Sequence, residues 1–191
     1  MANKKINQLQ SKNVIIETRT RRFFALLIDW YLTQTISVIP ITFYLRNGDY
    51  LKPYMFDFSS YSFPVGLGLI IYGIIIGLIY YWLIPSYLFN GQTIGKKICK
   101  IKIVTTNYQP VTGKIMFIRE IFTSTLIEGG ILITATQLHR IPGLLGFNNI
   151  TTYWQYLAYI ITIISIVYAY FNSKTQSFHD IVAKTLVIKS K

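Results

Sequence analysis

Between Phe23 and Tyr44 the chain carries one charged residue, Asp29. A helix of about 20 residues crosses the hydrocarbon core of a bilayer, so this run is long enough to span one. In lipid the backbone must bond within itself, which leaves a helix as the fold open to an isolated run of this kind. A bare carboxylate at the middle of such a helix costs about 2.5–3.5 kcal/mol on insertion scales, so Asp29 is expected to face other helices rather than lipid. Arg22 lies two turns earlier on the same face. An arginine at the membrane edge and an aspartate within it predict a polar site between helices, with Arg22 or Glu128 as the partner of Asp29. A plainer reading stays open, in which Arg22 reaches the interface and Asp29 is protonated or bonded to a neighbouring helix.

Of 191 residues, 52% are hydrophobic and only 14% charged, against about 25% charged in globular domains. There is room for three to five membrane helices and none for a large soluble domain. The net charge of +12 invites a nucleic-acid reading. The cations flank apolar runs instead of forming one stripe, which points to membrane topology and away from nucleic acid. Cys99 is the single cysteine, which excludes an intramolecular disulfide and a cysteine metal cluster. His139 and His179 are too far apart in sequence to form a metal motif. With no nucleophile–base pair, metal set or phosphate-binding loop, the chain is not expected to be an enzyme or to carry a cofactor.

The pattern predicts an all-α integral membrane fold with four transmembrane helices. A basic segment, 1–21, precedes a membrane domain over 22–191, with helices at about 22–45, 64–89, 115–137 and 153–171. The first apolar run is too long for a signal segment and is expected to be retained. Pro40 is placed to kink the far end of the first helix. Gly73 and Gly77 give the second helix a small-residue face for close helix packing. Tyr80, Tyr81, Trp82 and Tyr87 fit an interfacial aromatic belt. The third segment holds Arg119, Glu120 and Glu128, then Gly129-Gly130, and reads as a spanning helix or as a re-entrant one. Glu128 is a second buried acid. Lys100 to Thr105 and Thr185 to Lys189 are short and rich in β-branched residues, and are expected to pair as a small sheet joining the loop after the second helix to the C-terminal tail.

Cation counts set the orientation. Segments 1–22, 90–114 and 172–191 hold six, five and four Lys+Arg, while 46–63 and 138–152 hold two and one. Both termini and the small sheet are expected in the cytoplasm, on an even number of crossings.

Three stretches together resemble the RDD family of membrane proteins. Arg22-Phe23-Phe24-Ala25-Leu26-Leu27-Ile28-Asp29 resembles its opening Arg…Ala…Asp signature. Gly91-Gln92-Thr93-Ile94-Gly95-Lys96-Lys97 resembles its Gly-x-Thr-x-Gly-Lys loop. Ser177-Phe178-His179-Asp180, followed by Ala183, Thr185 and Val187, resembles its closing segment. The likeness covers roughly residues 19–188 and departs at Ile181, where the family often has arginine. It implies a multi-pass protein of the cell membrane. Some relatives serve as cation/proton antiporters and others as assembly factors. It marks Arg22, Asp29 and Asp180 as signature residues, with Gly91, Thr93, Gly95, Lys96 and His179 in structural motifs. Arg22 and Asp180 share one end of the bundle, so they are expected either to meet in a functional site or to fasten the tail to the first helix.

Two functions are weighed. In the first, the chain transports cations coupled to protons, with Asp29 and Glu128 cycling between charged and neutral forms. So short a chain leaves little room for alternating access, and a homo-oligomer through the Gly73–Gly77 face would supply it. In the second, it is a scaffold or assembly factor whose basic loop and tail bind a partner or the anionic inner leaflet.

Overall fold

Polar side chains are inside this molecule and large apolar ones outside. Asp29, Thr33, Arg119, Glu120, Thr123, Glu128 and Asp180 are buried, while Phe24, Tyr31, Ile71, Ile75, Ile160 and Ile163 are exposed. A protein in water buries its large aliphatic side chains and leaves its charges outside. Lipid reverses the need, because only polar groups must find partners inside the bundle. The computed structural model describes residues 2–45, 58, 61–129 and 132–190, with side chains from Glu17 onward. Most of the loop expected at 46–63, including Asp49 and Asp57, and also Gly130, lie outside the described residues.

Helix α1 runs Ala2–Ser37 and continues beyond a turn as a wider-wound segment, Ile41–Leu45. It starts well before residue 22 because residues 2–21 contain no proline or glycine to stop it. Thr18, Ala25, Asp29, Thr33 and Ser37 are buried along one stripe, while Phe23, Phe24, Leu27 and Trp30 face outward. Pro40 has no amide to offer the Ile36 carbonyl four residues back, and Tyr72 Oη donates to that carbonyl at 3.1 Å.

Helix α2 spans Phe63–Leu78 and widens over Ile79–Leu88 around Pro85. There the bonding steps to five residues, with the Phe89 amide donating to the Ile84 carbonyl at 3.0 Å. Short helix α3, Ile94–Ile98, and strand β1, Ile101–Thr105, follow. The third apolar segment is not one helix over 115–137. It begins as α4, Gly113–Met116, winds wide over Phe117–Glu128, and stops at Gly129. Gly129 adopts the left-handed conformation, φ +66°, which ends a helix and which glycine adopts without strain. A separate helix, α5, then runs Ile133–Leu144. Helix α6 spans Asn148–Phe171, α7 is Phe178–Val182, and strand β2 is Thr185–Lys189.

Three helices among the described residues are long and apolar enough to cross a membrane: Glu17–Leu45, Phe63–Leu88 and Asn148–Phe171. The small-residue face of α2 is used within the chain. Thr134 of α5 sits on Gly77 and Gln137 on Gly73, so α5 occupies the surface expected to serve a second subunit.

The expected sheet is present. Strands β1 and β2 pair antiparallel, with Ile101 opposite Lys189, Ile103 opposite Val187 and Thr105 opposite Thr185. Its apolar face, Ile101, Ile103 and Val187, packs on Ala25 of α1 and Met116 of the third segment. That contact holds the loop and the tail against one end of the bundle.

Candidate functional site

Two polar centres lie at the sheet end of the bundle. The first surrounds Asp29, which is 2% exposed. Tyr80 Oη donates to Oδ1 at 2.6 Å and the Gly95 amide at 2.7 Å. Thr93 Oγ1 donates to Oδ2, and Lys96 Nζ stands 3.9 Å from the same oxygen. The local chemistry explains the loop sequence. Thr93 caps α3, accepting the Lys96 amide, and its hydroxyl proton remains for Asp29. Gly95 has no side chain because a Cβ would lie 2.5 Å from the Ala25 carbonyl and 2.6 Å from Asp29 Oδ1. Gly91 joins neighbouring elements: its amide donates to the Pro85 carbonyl at 2.7 Å and its carbonyl accepts from the Ile103 amide at 2.9 Å.

The second centre is a chain of charges built on α7. Asp180 is fully buried and caps α7 through Ser177, whose amide and hydroxyl donate to Oδ2 at 3.2 and 2.9 Å. Arg22 Nη2 reaches the same oxygen at 2.7 Å. Arg119 donates to Oδ1 through Nε at 3.1 Å and Nη2 at 2.8 Å. A second Arg22 nitrogen bonds the Thr175 carbonyl, and Arg119 also pairs with Glu120. Burial alone pushes the Asp180 carboxyl up, and the Arg22 and Arg119 guanidiniums overcome it and hold it well below the usual carboxylate range.

Beyond Asp180 the chain continues through His179 to Glu128. His179 Nδ1 lies 3.0 and 2.9 Å from the two Glu128 oxygens, and Nε2 lies 2.8 Å from Ser177 Oγ. The His179 amide and Ser165 Oγ donate to Glu128 Oε1 at 2.8 and 2.9 Å. Ser177 spends its own proton on Asp180, so each imidazole nitrogen faces an acceptor. A proton on both nitrogens satisfies both contacts, and a proton on one leaves a contact empty. In the doubly protonated form, Arg22, Arg119 and His179 balance Asp180, Glu120 and Glu128.

Arg22 or Glu128 was expected beside Asp29, and the structure puts neither there. Both belong to the second centre, with Asp180 and His179. Arg22 and Asp29 share a face, but seven residues of helix separate them by about 10 Å along the axis, beyond direct contact. Arg119, Glu120, Ser165 and Tyr80 were not among the expected site residues. Arg119 carried the same signal as Asp29, a charge in an apolar segment. Tyr80 and Tyr81, expected in an interfacial belt, are buried, whereas Tyr87 is exposed. Ile181 is exposed, and Arg119 supplies a second guanidinium on the tail aspartate from elsewhere in the fold. Among the described residues no group of His, Cys, Asp or Glu is arranged to hold a metal ion.

The RDD family profile matches residues 17–184, a span that contains every residue of both centres. No curated protein and no solved structure matches the chain.

Proposed function

The chain belongs to the RDD family of membrane proteins, and from that premise we propose a small transporter that exchanges protons, coupled to a cation, at the Glu128–His179 pair. The observation that carries this reading is the position of the pair. Glu128 is the last residue before the break at Gly129, and its partner is a side chain that gains and loses protons near neutrality as a class. Interrupted helices and buried ionisable groups mark substrate and proton sites in membrane transporters. In this reading the broken segment completes a fourth crossing of the cell membrane, its inner half wide-wound and its outer half α5. Both termini and the sheet then lie in the cytoplasm, by the bias of Lys and Arg. Asp29 and Asp180 act as fasteners. A homo-oligomer needs a face other than Gly73–Gly77, which α5 covers. No catalysis is involved.

Purified protein in liposomes with an internal pH dye tests this. Wild type should dissipate an imposed gradient of sodium or potassium with counter-movement of protons, and Glu128→Gln should not, while remaining folded. The amide keeps hydrogen bonds but cannot cycle between charged and neutral forms. Wild-type protein silent toward every cation tried would end the transport reading.

A second reading is a scaffold or assembly factor held at the anionic inner leaflet. It is favoured by the saturation of Asp29 and Asp180, which fix the basic loop and tail rigidly to the bundle. Neutralising Lys96, Lys97, Lys100 and Lys102 should then weaken binding to anionic vesicles by about 1 kcal/mol per charge.

A further inference from the structure

His139 is a buried imidazole without a hydrogen bond among the described residues. It is 3% exposed, and its ring lies 4.7 Å from the ring of Trp154. Buried polar groups are nearly always paired, so a lone one calls for water, an ion or a working role. Its other neighbour is the break: a Cβ built on Gly129 would stand 3.4 Å from both His139 Cε1 and Nε2. Gly129 is thus flanked by Glu128 in the chain and by His139 across the fold.

Helix α6 orders these groups. Trp154, Ala158, Thr162 and Ser165 fall on one face, at spacings of three and four. In order they touch the His139 ring, Gly129, the Glu128 carbonyl and the Glu128 carboxylate. The rise from Trp154 to Ser165 is about 16 Å, roughly half the thickness of a hydrocarbon core. The file is centred on α6, so His139 and the Glu128 carboxylate stand in opposite halves of the bundle. The charged groups nearest His139 in the chain are Arg140, which bonds Gln137 and lies over the Phe58 ring at 4.2 Å, and Glu128. Helix α6 presents Trp154 and Ala158, which do not titrate.

We infer that His139 is a proton relay residue, passing protons between the side of the membrane away from the sheet and the Glu128–His179 pair. This rests on the proton-exchange reading given above. In the transfer an N–H bond of the His139 imidazolium breaks as an O–H bond forms on the first of a file of waters; each water passes one of its protons to the next, and the last gives a proton to the Glu128 carboxylate. The ring loses its positive charge and the carboxylate its negative one, and the number of O–H bonds in the waters is unchanged.

The test uses the wild-type protein and His139→Gln in liposomes, together with 15N-histidine-labelled wild type in bilayers. With only two histidines in the chain, each imidazole is assigned by comparison with the variant. His139→Gln should lower proton flux by about a hundredfold, the scale of a positioned acid–base group, while melting close to wild type in detergent. The His139 ring of the wild type should receive magnetisation from water. A folded His139→Gln at the wild-type rate, or a dry His139 ring, overturns the relay and leaves transport at Glu128 standing. Absence of flux in the wild type removes both.

Discussion

Asp29 and Glu128 are both carboxylates buried among helices, and their neighbours differ in kind. Asp29 receives a tyrosine hydroxyl, a threonine hydroxyl and a backbone amide, with a lysine close by. None of these hydroxyl or amide donors changes protonation near neutral pH, and the amide belongs to a loop that exists in this shape because it binds Asp29. Glu128 receives a serine, an amide and an imidazole, beside a helix break. One acid is bound by groups that cannot alter and the other by a group that can. Burial of a charge therefore does not by itself separate structure from function. On the proposed reading, the nature of the donors does.

The comparison is sharpened first at Arg119, which serves both sides by holding Asp180 and Glu120. Arg119→Leu leaves two buried carboxylates short of a cation and should cost about 3–5 kcal/mol. The expected result is loss of monodisperse protein from detergent extracts, and normal recovery would show the tail to be fastened elsewhere. Next is Gly95→Ala, whose methyl must enter the space between the Ala25 carbonyl and Asp29. A cost of about 1–3 kcal/mol is expected from overpacking, read as a lowered melting temperature. An unchanged melt would mean that the loop does not need its close approach to α1.

Acid should act on the Asp180 side only at low pH. The folded carboxyl lies well below its ordinary value, and the unfolded one titrates at about 3.9. Its contribution is complete above the unfolded value and is lost as pH falls through the folded one. The melting difference between wild type and Asp180→Asn should stay constant from neutral pH down to about 4, then shrink. A difference that shrinks nearer neutrality would contradict the double-arginine clamp. The smallest effect on stability is expected for Glu128→Gln, about 1 kcal/mol, since the amide keeps bonds to Ser165 and to the His179 ring. A larger loss would move Glu128 into the class of Asp29.

Much of the frame was legible because it follows from period and length. The apolar runs gave both ends of the Phe63–Leu88 helix within a residue and the C-terminal end of α6, and β-branched runs gave both strands and their pairing. The exposure of Phe24 and Trp30 and the burial of Asp29 follow from helical period alone. The identity of each buried partner was not legible. Asp29 finds two of its donors, Thr93 and Gly95, in a loop more than sixty residues on, and nothing in the period of α1 encodes which loop folds back. Arg119 was legible as a charge in the third segment but not as part of a site, because its partner, Asp180, lies in the tail sixty-one residues on. The break at Gly129 was visible as a pair of glycines, but a left-handed turn there depends on Ala158 and His139 fitting against it.

The Arg22–Asp180 contact joins residues far apart in the order of synthesis. Arg22 is made with the first helix, while Asp180 is made only after every apolar segment has been translated. Until then Arg22 and Arg119 lack their shared carboxylate, and Glu128 lacks His179. Arrival of the tail neutralises all three groups at once and zips β2 onto β1. A nascent chain interrupted before Asp180 would display unpaired charges at the membrane, the kind of signal by which quality-control proteases distinguish unfinished from finished proteins.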